Sequence, residues 1–216
     1  MTRGLARAAV PLTILLVSAV GCRPRPAGRE VPVVQPGAPG QDTRVLSRQS
    51  MKTAPQRGVA AADVKFVREM IGHHQQALEM TRLLATRSSD PDMKKLALRI
   101  ELSQADEIKM MREWLAGHGQ QAPDAHAHHA AGALMPGMLT ADEMARLAAA
   151  SGRDFDRLFL EYMIKHHAGA LTMVRQLFDT AGAAQDADIF AFAADVEADQ
   201  RMEIDRMNLM LWERQK

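Results

Sequence analysis

From residue 61 onward apolar side chains return every three or four positions in four long runs, the period of an amphipathic helix. The first run predicts a helix starting near residues 61–63, with Asp63 as its cap, and ending near residue 87. Ser88-Ser89-Asp90-Pro91 reads as a stop followed by a start, a capping side chain with proline at the first helical position. The second helix runs to about residue 116 and turns Ala97, Ile100, Gln104, Ile108, Met111 and Leu115 inward. Thr140 and Glu143 have the spacing of a capping box, opening a short helix that Gly152 breaks. A third long helix follows over about 154–180, and a fourth from about 186 to the C-terminus.

The first and third helices carry one pattern. Phe66, Met70, Ile71, His73, His74, Ala77, Leu78 and Met80 recur as Phe159, Met163, Ile164, His166, His167, Ala170, Leu171 and Met173. The second and fourth helices match as well: Gln104, Glu107, Ile108, Met111 and Leu115 recur as Gln200, Glu203, Ile204, Met207 and Leu211. The repeated unit is therefore a helical hairpin. Two such hairpins predict an all-α fold, a four-helix bundle over residues 61–216 with a long central connection and a pseudo-twofold axis.

On a wheel of about 100° per residue, Phe66, Ala77, Met80 and Leu84 fall within about 40° of His73, with Met70 about 60° round. His74 lies about 100° round, among Val67, Ile71 and Leu78. Both imidazoles thus look toward the apolar side. Burying them is costly unless the ring nitrogens find partners, and a core built for stability alone would use leucine. Thioether sulfur favours Cu(I), while imidazole suits both copper oxidation states. Met70, one turn away, is within reach of an ion shared with His73 and His74; Met80, two turns on, must bend back or serve a second ion. Met163, His166, His167 and Met173 repeat the set. Gln104 and Gln200 are candidates to bond the free ring nitrogens, and Glu107 and Glu203 either do the same or are solvated. Met111, Met207 and Met210 read as packing.

The connection over 118–139 is a separate candidate. His126, His128 and His129 resemble an open, exchangeable chelator of Cu(II) or zinc. Met135 and Met138, in Met-Pro-Gly-Met, could hold Cu(I) near the surface.

Arg3 and Arg7 precede an uncharged, mostly apolar run over 8–20, which predicts a secretory signal peptide over residues 1–21, too short for a bilayer span. Cys22, the only cysteine, follows Ala19-Val20-Gly21, where a lipoprotein signal is cut and the new N-terminal cysteine acylated. These residues predict a membrane-anchored lipoprotein facing the periplasm or cell exterior. Residues 22–60, rich in proline and glycine, read as a disordered tether. Cleavage leaves 25 basic against 26 acidic side chains, which gives no electrostatic case for nucleic acid. Lipidation of Cys22 leaves no thiol, so soft metals would have to meet methionine instead, 14 of the chain's 15 lying in residues 51–216.

Bundles that hold iron between carboxylates use Glu-x-x-His. No glutamate here has histidine three residues later, and no serine or cysteine nucleophile accompanies the histidines. A metal oxidase is therefore the second reading, and a lipoprotein with purely structural histidines, serving interactions, the third.

Phe-x3-Met-Ile-x-His-His-x2-Ala-Leu-x-Met written twice, each copy followed by Gln-x2-Glu-Ile-x2-Met, with Met-Pro-Gly-Met-Leu-Thr between, resembles the bacterial family called domain of unknown function 305. The resemblance spans about residues 61–213 and implies a ferritin-like four-helix bundle. Some members, of the CopM type, are exported copper-binding proteins linked to copper resistance. That implies metal roles for Met70, His73, His74, Met80, Met163, His166, His167 and Met173, with Met135 and Met138 as further candidates. A protein that hands copper on would have copper donor or acceptor proteins as partners. The histidines at 126–129 are not part of the family pattern.

Overall fold

The computed structural model describes residues 33–35, 44–47, 58–124, 134–214 and 216. Residues 1–21, read as a signal peptide, and Cys22, His126, His128 and His129 lie outside the described residues. The chain divides into two compact units, one up to residue 56 and one from residue 57. In the first, β1 (Val33–Gln35) pairs antiparallel with β2 (Arg44–Leu46), Val34 opposite Val45. The proline and glycine content of that stretch did not predict this local pairing.

The second unit is all helix: α1 (Ala61–Arg87), α2 (Pro91–Gly117), α3 (Ala141–Ala149), α4 (Gly152–Asp179) and α5 (Ala187–Arg214). Hairpin α1–α2 and hairpin α4–α5 join along a seam of α1 against α4, with the short α3 lying on both. Local signals set several helix starts. Asp90 accepts from the N–H groups of Asp92 and Met93, ahead of Pro91 at the first helical position. Burial pushes the Asp90 carboxyl up, but these amides and Arg214 outweigh it and hold the carboxyl low. Thr140 and Glu143 close a full capping box. Asp63 departs from expectation: Ala60 precedes α1 without a side-chain cap, and the buried Asp63 carboxylate accepts instead from the Ala184 N–H at 2.7 Å. A tertiary donor 121 residues away outcompeted the local amides.

The apolar core comes in two blocks. One gathers Phe66, Met70 and Ile71 of α1, Ile108, Met111 and Leu115 of α2, Met173 and Leu177 of α4, and Phe192 and Val196 of α5. The other gathers Ala77, Met80 and Leu84, then Met93 and Ile100, then Phe155, Phe159 and Met163, and finally Met207 and Met210. Pseudo-twofold mates fall in opposite blocks, as antiparallel packing of two copies requires. Along each long helix the residues between the blocks are polar: His73 and His74, Gln104 and Glu107, His166 and His167, Gln200 and Glu203. A polar layer therefore crosses the middle of the bundle.

Candidate metal centre

All four imidazoles are fully buried, at 0% exposure. The stripe that buries Phe66, Met70 and Leu84 carries His73 and His74 inward with it, and α4 does the same for its pair. His73 and His166 meet across the α1–α4 seam, with ring centroids 3.8 Å apart and planes tilted by 38°. Their neighbours stand further off, His74 at 6.4 Å from His73 and His167 at 6.2 Å from His166.

Outward, each second histidine meets a carboxylate from its own hairpin. His74 Nε2–H donates to Glu107 Oε2 at 2.5 Å, and His167 Nε2–H donates to Glu203 Oε2 at 2.7 Å. Ser103 donates to the other oxygen of Glu107, and Arg99 lies 3.6 Å from that of Glu203. His73 Nε2–H donates to the Pro136 carbonyl at 3.0 Å. An acceptor at Nε2 fixes the tautomer, so in the neutral ring the lone pair sits on Nδ1. The Nδ1 atoms of His73, His74 and His167 are buried with no hydrogen-bond partner, and His166 has none at either nitrogen. Burial, then the neighbouring His74 and His167, drives the His73 pKa down to about 3, although the Pro136 contact works the other way. His166 is held well below the ordinary value by burial, then by His73, His167 and His74; the backbone at His73 favours its charge without closing a well-formed hydrogen bond. Both stacked rings are therefore neutral bases at pH 7.

Thioethers flank the layer crosswise. Met70 shares its block with Met173 of the other hairpin, and Met80 shares its block with Met163. Met70 and Met80 of one helix thus lie in different blocks, each with a methionine of the other hairpin. Met111 and Met207, read as packing, sit in the same two blocks. Gln104 and Gln200 are buried in the layer, yet neither Gln104 amide atom nor Gln200 Oε1 has a partner, so Gln104 bonds no ring nitrogen. Met138 is buried at 4% exposure and not near the surface, because the turn over 135–139 lies against the bundle. Met135 packs half-buried against the first core block.

That turn is where sequence reading fell short. Gln76 Nε2 donates to the Leu139 carbonyl at 2.9 Å, and its Oε1 accepts from the Leu139 N–H at 2.7 Å. Gly137, at φ +75°, lies against Gly169 of α4, where an added Cβ would stand 2.0 Å from the Pro136 oxygen. The available signal was small: Gln76 aligns with Gly169 in the duplication, a mismatch of size and polarity between buried neighbours of the histidines.

Among the described residues, no group of three His, Cys, Asp or Glu side chains converges closely enough to hold an ion. The unpartnered Nδ1 atoms and the buried methionines fit a soft cation, since both donor types are neutral and polarisable.

Fold and centre together define a class: an antiparallel bundle of two duplicated hairpins, divided by a buried imidazole layer. The chain belongs to the family described as "Domain of unknown function (DUF305)", whose model matches residues 63–211. A candidate secreted DUF305 protein from Streptomyces coelicolor is 30% identical, with a TM-score of 0.62 over 71% of this chain and 93% of that one. A DUF305 fragment from Deinococcus radiodurans is also 30% identical, with a TM-score of 0.62 over 72% and 98%. CopM in its Cu(II)-bound form is 29% identical, with a TM-score of 0.59 over 70% and 96%. CopM has also been solved in Cu(I)-bound, silver-bound and apo forms. No curated protein matches the chain. No helix among the described residues is long and apolar enough to cross a membrane.

Proposed function

We propose that this is an exported, membrane-tethered copper-binding protein that sequesters or hands on copper without chemical turnover. The observation that carries the reading is the orientation of the rings. Three of the four donate Nε2–H to fixed oxygen acceptors, and all four keep an unpartnered, buried Nδ1. A carboxylate or carbonyl behind an imidazole is the arrangement that orients metal-ligating histidines and raises their basicity. Copper would take Nδ1 donors from His73, His74, His166 and His167 and sulfur from Met70, Met80, Met163 and Met173, with Glu107 and Glu203 behind the rings. The copper- and silver-bound CopM structures support a soft cation. Export rests on residues 1–21, anchoring on Cys22, and the candidate secreted relative supports the former.

Anaerobic titration of the full chain with Cu(I) against a competing chelator tests the reading. Stoichiometric uptake is expected, lost when His73, His74, His166 and His167 are all replaced by Ala. Unchanged stoichiometry in that variant rejects it. For the anchor, Cys22→Ser should move the protein from the membrane fraction to the soluble fraction of the cell envelope.

A further inference from the structure

The imidazole layer is sealed, so something must move before an ion can reach it. The four long helices are poor candidates, because parting them exposes both apolar blocks. The turn over 135–139 is different. It is irregular and contacts the layer directly: Pro136 O meets His73, Gln76 makes paired bonds to Leu139, Gly137 lies against Gly169, and Met138 and Leu139 are the side chains it buries. Lifting it exposes two buried side chains and not two whole core blocks, so it opens at lower free energy than parting the helices.

We propose that this turn is a latch over the imidazole layer and that Gln76 is the positioning residue that holds it shut. Closed, it occupies Nε2 of His73 and covers the stack of His73 on His166. Opening withdraws the Pro136 carbonyl, uncovers the stacked pair and swings Met135 and Met138 outward as thioethers that meet an incoming soft cation first. The small residue at 169 is what lets the latch seat: a methyl group there cannot coexist with the Pro136 carbonyl in its present place. The inference deepens the copper reading by adding how the site is gated, but the latch itself can be measured without metal.

The test uses the full chain and two variants that open the latch by different routes. Gln76→Leu removes both bonds to Leu139 at similar side-chain size. Gly169→Ala leaves a good helix former in α4 and lifts the turn sterically. With circular dichroism confirming native helix content, deuterium exchange at the imidazole C2 positions is followed by fragment-resolved mass spectrometry without metal. Exchange at His73 and His166 should rise about tenfold or more in both variants, while His74 and His167, held by Glu107 and Glu203, change less than about threefold. Cu(I) delivered from a weak chelator should bind faster in both variants. Native-like variants with unchanged His73 and His166 exchange overturn the latch, and so does Cu(I) uptake at an unchanged rate. Should exchange rise while neither wild type nor variants take up Cu(I), the latch stands and the copper reading falls. If Gly169→Ala does not fold, Gln76→Leu decides alone.

Discussion

The two hairpins of this bundle are near-equivalent in their outer pairs and inequivalent at their centre. His74 on Glu107 and His167 on Glu203 are the same interaction made twice, at 2.5 and 2.7 Å. His73 and His166 occupy matched positions, yet His73 has the Pro136 carbonyl and His166 has no hydrogen-bond partner. Three residues further on, Gln76 clamps Leu139 where Gly169 merely makes room. Duplication copies what lies within a hairpin. The segment joining the hairpins exists once, so it can serve only one of the two rings, and it breaks the symmetry at the stack.

The largest test of that asymmetry is acid. His73, whose folded pKa lies near 3 against an ordinary 6.5, favours the native state while neutral. The unfolded chain binds the proton more readily, so this contribution is present above about pH 6.5 and is lost as pH falls toward 3, on the order of 4 kcal/mol for this ring alone. His166 acts with the same sign. Chemical denaturation of the metal-free protein between pH 7 and 4 should show a steep loss of stability, flattened in His73→Leu and His166→Leu.

Next come the carboxylates behind the outer rings. If the copper reading holds, Glu107→Gln and Glu203→Gln should each weaken Cu(I) affinity by about 10–100-fold, because each carboxylate accepts from the outer ring of its own hairpin. A competition titration reads this, and an effect confined to one variant would break the equivalence.

At neutral pH the inner rings should differ. His166→Leu replaces two unpartnered polar atoms with apolar surface and should stabilise the metal-free protein by about 1–3 kcal/mol. His73→Leu should gain less, since it strands the Pro136 carbonyl. Urea denaturation distinguishes them, and destabilisation by His166→Leu would mark the ring as structural. The smallest effect lies at the helix caps: Asp90→Ala and Asp186→Ala, each removing a carboxylate that caps two amides, should cost about 1 kcal/mol apiece in thermal unfolding.

Most of the architecture was legible in the chain. Apolar period, proline at 91, the Thr140 and Glu143 box and the repeat itself gave the helices, their order and the hairpin unit, because each signal acts within a few residues of itself. The inward placement of His73, His74, His166 and His167 was legible for the same reason: a helix that buries one stripe buries everything on it. Grouping was not. Spacing along one helix could not show that Met80 shares a core block with Met163, and Met70 with Met173, of the other hairpin. Nor could periodicity show Asp63 on Ala184, or Gln76 on Leu139, since both bonds join residues more than 60 positions apart.

The sequence by itself determined that two like hairpins would bury four imidazoles among methionines, because amphipathic period and duplication are local properties of the chain. Only the tertiary structure decided which face of each ring is held and which nitrogen is left free. Those outcomes depend on which helix lies opposite and where the single connecting turn comes to rest, and no pattern along one helix encodes either.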